Sequence, residues 1–260
     1  MNDVSTIKQI QSPETGSRIL YCGDDDLDRA AVYLSSILFD QKYAFDYISS
    51  TSAFPCNMDL NRYRLIILSD YPRANFTNSQ LFEICEWVNA GGSLLMIGGW
   101  ESFTGMKREY TDSPLEMVLP VILSRNDDRV NYSQGIVVLP GKPNHPIVQP
   151  LDWQKPAIIG GFNRFVPKEG TEMILAGKRI RIENQSTLSF TADVDNIPLL
   201  VVGKSGNGKV GALAFDLAPH WVSGFVDWGE SRVRVDFNNN FIEVGDQYYQ
   251  FVSSLISWFI

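Results

Sequence analysis

The chain has 260 residues, of which 44% are hydrophobic and 20% are charged, a composition typical of a globular protein with a substantial core. Its 22 basic and 30 acidic residues give a formal net charge of −8 without a basic stripe, which excludes nucleic acid as an expected partner. No apolar run approaches the roughly 18 residues of a membrane span, and the N-terminus lacks a signal-peptide pattern. We therefore expect a cytoplasmic protein that does not bind a membrane.

The chain opens with a polar segment and then continues without an obvious linker. Residues 1–16 contain Pro13 and Gly16 and are predicted to form a flexible leader. No stretch rich in Gly, Ser or Pro and no internal repeat interrupts the remainder. Residues 17–260 are therefore predicted to form a single domain.

The first hundred residues alternate between strand-like and helix-like patterns. Short β-prone apolar runs are separated by segments with apolar residues at helical spacing, and the runs end in small or acidic residues. The predicted strands lie at 18–23, 44–50, 63–70 and 93–99, and the predicted helices at 27–42 and 78–92. This alternation predicts an α/β fold, a three-layer α/β/α sandwich with a mostly parallel central sheet.

The second half of the chain is richer in short β-prone runs broken by Gly, Pro and Asn. Residues 203–210, "GKSGNGKV", have the glycine and lysine spacing of a phosphate-binding loop. However, Val210 stands where that motif needs Ser or Thr, and a β-prone run follows where a helix should begin. The segment "SGNG" instead predicts a hairpin turn. The final residues, 246–260, have the spacing of an amphipathic helix.

Polar residues follow several of the predicted strands. The carboxyl ends of parallel strands meet at one edge of a sheet, where ligands of α/β proteins bind. Asp216 and His220 follow the late strand "ALAF" and are expected at the same edge. The residues predicted to bind a ligand there are Asp24, Asp70, Gly98, Gly99, Trp100, Glu101, Ser102 and His220.

The residue types at this edge indicate a small polar ligand. Gly98 and Gly99 would let backbone N–H groups approach an anionic or carbonyl oxygen. Trp100 would supply a stacking wall for a sugar ring or a flat molecule. Glu101 and Asp70 would accept hydrogen bonds from hydroxyl groups. No metal and no cofactor are predicted, because three successive carboxylates such as Asp24 to Asp26 cap a helix more readily than they face one ion.

A nucleophile is missing from the expected turn. A nucleophile elbow needs the pattern G-x-Nuc-x-G, and neither register of "GGWESFTG" puts Ser or Cys in the central position. A triad of Ser102, His220 and Glu101 can be written, but adjacent side chains on an extended turn seldom converge on one histidine. Cys22 lies within a predicted strand and Cys85 on an apolar helix face, so both are expected to be buried.

The sequence leaves open whether the protein is an enzyme. A hydrolase or amidotransferase could use His220 or Glu101 to activate water, whereas His145, between prolines, is expected to be structural. A third alternative is a homo-oligomeric interaction module that uses the aromatic residues of the C-terminal helix. The simpler interpretation is that this helix covers the domain's own sheet.

Several longer segments resemble a known family. "NRYRLIILSD", "NAGGSLLMIGGWESFTG", "SPLEMVLPVILSRNDDRV", "NHPIV" and "LAFDLAPHW" occur in the order seen in the glutamine amidotransferase-like cytoplasmic proteins, a bacterial group. The resemblance covers residues 18–260 and implies the flavodoxin-like fold of class I glutamine amidotransferases. In true amidotransferases the strand matching "LLMIGG" leads to a G-x-C-x-G elbow, and a later strand delivers a histidine followed by Pro and Glu.

The resemblance also implies what has changed in this chain. The position of the cysteine falls at or beside Gly99, and His220 stands near the place of the catalytic histidine without the Pro-Glu pair. The family comparison therefore implies an amidotransferase-like protein of unknown substrate that lacks the classical nucleophilic cysteine. Such a protein would bind a small polar ligand at the carboxyl ends of its strands.

Overall fold

The computed structural model describes residues 7–10, 18–107, 109–184, 188–192 and 196–260, with the backbone alone for 182–184 and 188–191. The strands are β1 (Lys8–Ile10), β2 (Ile19–Gly23), β3 (Phe45–Ile48), β4 (Leu65–Ser69), β5 (Ser93–Ile97), β6 (Val121–Leu123), β7 (Arg129–Pro140), β8 (Ile158–Asn163), β9 (Phe165–Pro167), β10 (Glu172–Asn184), β11 (Leu188–Ala192), β12 (Ile197–Ser205), β13 (Gly208–Leu213), β14 (Arg232–Phe237) and β15 (Asn240–Gly245). The helices are α1 (Val32–Asp40), α2 (Asn78–Ala90), α3 (Leu115–Val118), α4 (Pro219–Val226) and α5 (Asp246–Phe259).

One large sheet organises the molecule. It has 11 strands in the order β1-β3-β2-β4-β5-β13-β12-β10-β7-β8, with β11 paired to β10. The strands β3, β2, β4, β5 and β13 run parallel to their neighbours in that series, and the remaining pairings are antiparallel. The α/β class is confirmed. The prediction of a mostly parallel sheet is wrong, because the sheet is mixed and antiparallel pairings predominate.

The turn between β12 and β13 explains part of this difference. Ser205 pairs directly with Gly208, so only two residues connect the two strands. A connection this short can join antiparallel strands only, since parallel neighbours need a crossover of about a dozen residues. Gly206 has a φ of 56°, as a tight hairpin turn requires. The prediction of a hairpin at residues 203–210 is therefore confirmed, and the short segment "SGNG" was sufficient to make it.

Helices α2 and α5 both pack against β13. A Cβ atom at Gly208 would lie 2.2 Å from the backbone oxygen of Val88 in α2. A Cβ atom at Gly211 would lie 2.4 Å from the ring of Phe259 in α5. Residues three apart on a strand point to opposite faces, so these two glycines admit helices from opposite directions. The aromatic face of α5 covers the chain's own sheet, as the simpler interpretation predicted.

The predicted helix at 78–92 is confirmed in detail. Thr77 and Gln80 form a reciprocal capping box at its N-terminus, and the helix ends at Gly91, whose φ is 129°. Its buried face contains Leu81, Ile84, Cys85 and Val88. The helix predicted at 27–42 is shorter, Val32–Asp40, because residues 27–31 form turns in which the Arg29 N–H donates to the Asp26 oxygen and the Val32 N–H to the Arg29 oxygen, each over 3.1 Å.

Several elements of the structure were not predicted from the sequence. The hairpin β14–β15 turns at Asn238 and Asn239, with φ values of 51° and 61°, and helix α4 begins at Pro219. Of the predicted leader, 1–16, only residues 7–10 are described, and Lys8–Ile10 pairs antiparallel with β3. The rest of the leader lies outside the described residues.

Across the described ranges, no helix is both long and apolar enough to cross a membrane.

Candidate functional site

Three aspartates lie at the carboxyl ends of parallel strands. Asp24 follows β2, Asp70 follows β4, and Asp216 comes shortly after β13. All three side chains are half-buried, and their charges act on one another, so the topology brings them together as predicted. Asp24 and Asp70 both adopt left-handed backbone conformations, with φ values of 46° and 49°. Such conformations are uncommon for residues other than glycine and cluster at functional sites.

The ends of strands β2 and β4 lie very close to each other at this edge. A Cβ atom at Gly23 would lie 1.8 Å from the backbone oxygen of Ser69, so only glycine fits there. The Asp24 N–H donates to the same oxygen over 2.8 Å. This contact ties the end of β2 to the end of β4 and fixes the spacing of the two carboxyl groups that follow.

Each aspartate accepts hydrogen bonds from neighbouring donors. The hydroxyl of buried Tyr21 donates to Asp24, and the Glu101 N–H donates to Asp70 Oδ1 over 2.5 Å. Asp216 accepts the N–H of Ala218 and lies 3.1 Å from Nδ1 of His220. We refer to Asp24, Asp70, Asp216 and His220 as the acidic cluster.

The acidic cluster retains protons at higher pH than isolated carboxyl groups would. Burial raises the pKa of Asp70 to about 7, and the charges of Asp216 and Glu101 act in the same direction. The pKa of Asp24 is well above its ordinary value, mainly through burial and then through the charge of Asp216. Burial also raises the pKa of Asp216, against the effect of His220. Asp70, with a pKa of about 7, can therefore donate as well as accept a hydrogen bond near neutral pH.

The Asp70→Asn variant is expected to be more stable than the wild type at about pH 8, and this advantage should shrink as the pH falls toward 4. Between 3.8 and about 7 the folded state holds a proton that the unfolded state has lost, so rising pH destabilises the wild type. After allowance for solvent screening, the difference is roughly 2 kcal/mol, or several degrees in Tm. Asparagine tolerates the left-handed backbone at this position.

Thermal denaturation of both proteins across this pH range tests the expectation. The matched control is Asp28→Asn, because Asp28 is exposed on the surface. Its Tm should follow that of the wild type at every pH. A stability difference for Asp70→Asn that does not vary with pH would contradict a raised pKa at Asp70.

The pKa values of the two histidines are expected to lie on opposite sides of 6.5, the ordinary pKa of histidine. The hydrogen bond to Asp216 raises the pKa of His220, whereas burial lowers the pKa of His145. An NMR titration of the ring protons resolves two signals, since the chain has two histidines. Asp216→Asn is expected to lower the higher midpoint alone, with His145 as the internal control. Two coincident midpoints would contradict the pairing of His220 with Asp216.

The turn after β5 packs tightly on the acidic cluster. A Cβ atom at Gly99 would lie 2.5 Å from both Cγ and Oδ1 of Asp70. A Cβ atom at Gly98 would lie 2.6 Å from the backbone of Ala214. The Asp70 carboxyl group thus occupies the space that any side chain at position 99 would need.

The backbone N–H groups of this turn are already hydrogen-bonded inside the protein. Gly98 donates to the Leu213 oxygen over 2.8 Å, and Gly99 donates to Asn163 Oδ1 over 3.0 Å. The expectation that these two groups face a ligand oxygen therefore does not hold in this structure. The sequence could not reveal this, because Leu213 and Asn163 reach the turn from distant strands.

Ser102 connects the ends of two strands. Its hydroxyl is buried, donates to the Ile97 oxygen over 2.6 Å and accepts the Asp70 N–H over 3.1 Å. His220 pairs with Asp216, and Glu101 lies 3.6 Å from Lys107. The triad written from the sequence is therefore not assembled. The role of Ser102 in this structure is to hold Asp70 in place.

Trp100 lies on the outer surface of the turn. Its side chain is 60% exposed, and the Arg129 guanidinium lies 4.7 Å from its ring centre. The indole therefore retains a large accessible surface on the turn after β5, and its role as a stacking wall stays a prediction.

Two residues that were not predicted from the sequence, Asn163 and Asp128, hold the turn after β5 by hydrogen bonds to its backbone. Buried Asn163 accepts the Gly99 N–H and donates to both the Gly99 oxygen and Asp128 Oδ1, over 3.1 and 3.0 Å. Buried Asp128 also accepts the N–H groups of Thr104 and Gly105, each over 3.0 Å. Asp128 lies in "NDDRV", which resembles an ordinary turn in sequence, so no local signal distinguished it.

The remaining reactive side chains are three free cysteines. Cys22 and Cys85 are buried as predicted, and burial raises the pKa of Cys85 to about 11. Cys56 is exposed in the segment between β3 and β4. Among the described residues, no group of His, Cys, Asp or Glu is arranged to hold a metal ion.

The fold and this arrangement can be compared with known proteins. Residues 23–240 match the protein family described as "Putative glutamine amidotransferase". This chain belongs to that family. A comparison with curated proteins found no significant match to this chain.

Solved structures add similar folds. The chain is similar to "Cytoplasmic Protein STM3548 from Salmonella typhimurium", with 26% identity, a TM-score of 0.70, and coverage of 92% of this chain and 98% of that one. It is also similar to "Cytoplasmic Protein STM1381 from Salmonella typhimurium LT2", with 29% identity, a TM-score of 0.63, and coverage of 78% and 90%. A thua-like protein from Parabacteroides merdae shares the fold at 12% identity and a TM-score of 0.57, with coverage of 93% and 89%.

Proposed function

We propose that this family member binds a small polar ligand at the acidic cluster and lacks the classical glutaminase nucleophile. The observation that carries the proposal is the contact between Gly99 and Asp70. Position 99 has no side chain, and a carboxyl group fills the space that the cysteine of an elbow would need. Cys22 and Cys85 are poor substitutes, because burial raises the pKa of both thiols.

The acidic cluster suits hydroxyl and amino groups as ligand atoms. Carboxyl groups with raised pKa values can present both a donor and an acceptor to the same ligand. On the turn that packs against Asp70, the exposed indole of Trp100 offers an apolar surface, and Glu101 offers a further acceptor. A polyol, a sugar or an amino sugar matches this combination of groups.

The likeness to the two Salmonella cytoplasmic proteins supports a cytoplasmic location for this chain as well. The contacts of β13 with α2 and α5 support a three-layer α/β/α arrangement around the parallel part of the sheet.

A thermal-shift panel of polyols, monosaccharides, amino sugars and small amines tests the binding proposal. A compound that binds here should raise the Tm of the wild type and lose most of this effect in Asp70→Asn and His220→Ala. Glu101→Ala is expected to weaken it further, whereas Asp28→Asn should not change it. A stabilising compound whose shift persists in all the site variants would contradict the proposed site.

Water activation is the second candidate function. The pair of His220 and Asp216, with 3.1 Å between Nδ1 and Oδ2, has the arrangement in which a carboxylate orients a general base. A hydrolase of this type would show a bell-shaped pH–rate profile that His220→Ala abolishes. The absence of turnover across ester, amide and glycoside substrates would count against it.

A homo-oligomeric interaction module has less support. The aromatic residues proposed for such contacts include Tyr248, Phe251 and Phe259, which are buried against the chain's own core. Tyr249 is hydrogen-bonded to Asp40 and Gln41 of the same chain. Trp258, the fifth of these aromatic residues, is half-buried. Light scattering on the purified protein would detect an oligomer.

A further inference from the structure

One cavity of the molecule has no residue of the acidic cluster in its lining. Its volume is about 520 Å³, within the range of small-molecule sites in proteins. The strand pair β6–β9 forms one wall, and β8, β10 and β12 contribute the others. It is lined by residues that play no part in the proposed function.

The walls of this cavity combine apolar surface with two arginines. Ile122 and Val166 face each other across β6–β9 and are largely exposed, at 49% and 60%. Phe162 is buried at the cavity wall. Arg164 and Arg179 are the charged residues of the lining, and none of the described residues that line it carries a carboxylate.

Arg179 has an unused donor at this position. Its Nε atom is buried and has no hydrogen-bond partner, whereas buried polar groups are almost always paired. The guanidinium lies 5.7 Å from the ring centre of Tyr132 and forms no salt bridge with a described carboxylate. Among the described residues, the Arg164 guanidinium donates to the backbone oxygen of Asp127, over 3.3 Å. Among the described residues, Nε of Arg179 therefore has no acceptor, and a ligand that enters the cavity could supply one.

We propose that this cavity binds a small organic anion with an apolar body and a carboxylate or phosphate head. The planar guanidinium of Arg179 would pair with the head and satisfy its buried Nε donor. The apolar side chains of Ile122, Val166 and Phe162 would contact the body. This site is independent of the acidic cluster, which favours hydroxyl and amino groups.

The probes are 2-naphthoate, 2-naphthyl phosphate and the neutral analogue 2-naphthylmethanol, measured by ligand-detected NMR and calorimetry. We expect saturable binding of at least one anion, at least tenfold tighter than that of the neutral analogue. Arg179→Gln should weaken anion binding at least tenfold and leave the neutral analogue within about twofold. Preference for the carboxylate or the phosphate would identify the head group.

Two further variants keep the result interpretable. Ile122→Glu adds a negative charge at an exposed position of the cavity wall and should repel the anions even if Arg179→Gln is poorly folded. Arg234→Gln is the matched control, because Arg234 also lies over an aromatic ring, that of Phe241, but is paired with Asp236. Binding should be unchanged in this control. Equal affinity for anionic and neutral probes, no saturable anion binding, or wild-type binding in both cavity variants would overturn the proposal.

Discussion

The Asn163→Ala variant is expected to unfold roughly 3 kcal/mol more easily than the wild type, a loss of about 6–12 °C in Tm. The Asn163 side chain is buried and makes three hydrogen bonds, to both backbone groups of Gly99 and to Asp128. Its removal leaves the Gly99 N–H without an acceptor and the buried Asp128 carboxyl group without one of its donors. Leaving a buried polar group unpaired reduces the free energy of unfolding by more than an average hydrogen bond contributes to it.

Denaturant unfolding of the variant measures this loss directly. Asn61→Ala is the control, since Asn61 is exposed, and it should stay within about 0.5 kcal/mol of the wild type. A loss for Asn163→Ala no greater than that of the control would mean that Asn163 does not hold the turn after β5.

The Gly99→Ala variant is expected to lose roughly 1–3 kcal/mol of stability, because its new methyl group would collide with the Asp70 carboxyl group. The collision predicts a specific rescue. Asp70→Gly removes the obstructing side chain and favours the left-handed backbone at position 70. In the double variant, the methyl group at position 99 should therefore cost at least about 1 kcal/mol less than in the wild-type background.

A double-mutant cycle from urea unfolding provides the coupling energy. Gly160→Ala is the control for adding a methyl group in a strand, since its nearest neighbour would be the Trp221 oxygen at 3.4 Å. It should have little effect. Strict additivity of Gly99→Ala and Asp70→Gly would contradict the view that Asp70 fills the space beside position 99.

The first half of the fold and the location of the site could be predicted from sequence. Alternating strand and helix patterns place Asp24 and Asp70 after buried strands, and the topology of a parallel sheet then brings them together. The orientation of β7 and β10 could not be predicted in the same way. It depends on long-range pairing within a mixed sheet, for which short β-prone runs give no direction.

The fine structure of the site depends on contacts that sequence patterns do not encode. Asn163 reaches the turn from β8, far along the chain, and nothing around it in sequence marks it as a partner of Gly99. The burial that raises the pKa of Asp70 is likewise a property of the packed edge and not of the tripeptide around it. The pair Gly98–Gly99 is evident in the sequence. Only the structure shows why glycine is needed there, because Gly98 packs against Ala214 and Gly99 against Asp70.

The most direct test of the central claim uses 6-diazo-5-oxo-L-norleucine, a glutamine analogue that alkylates the nucleophile of glutaminase sites. The purified protein would be incubated with it, and its intact mass measured, with an active glutaminase as the positive control. The proposed absence of a glutaminase nucleophile at the carboxyl ends of β4 and β5 predicts an unmodified mass when the control is fully labelled. A single stoichiometric adduct that maps to a side chain at this edge would contradict the account.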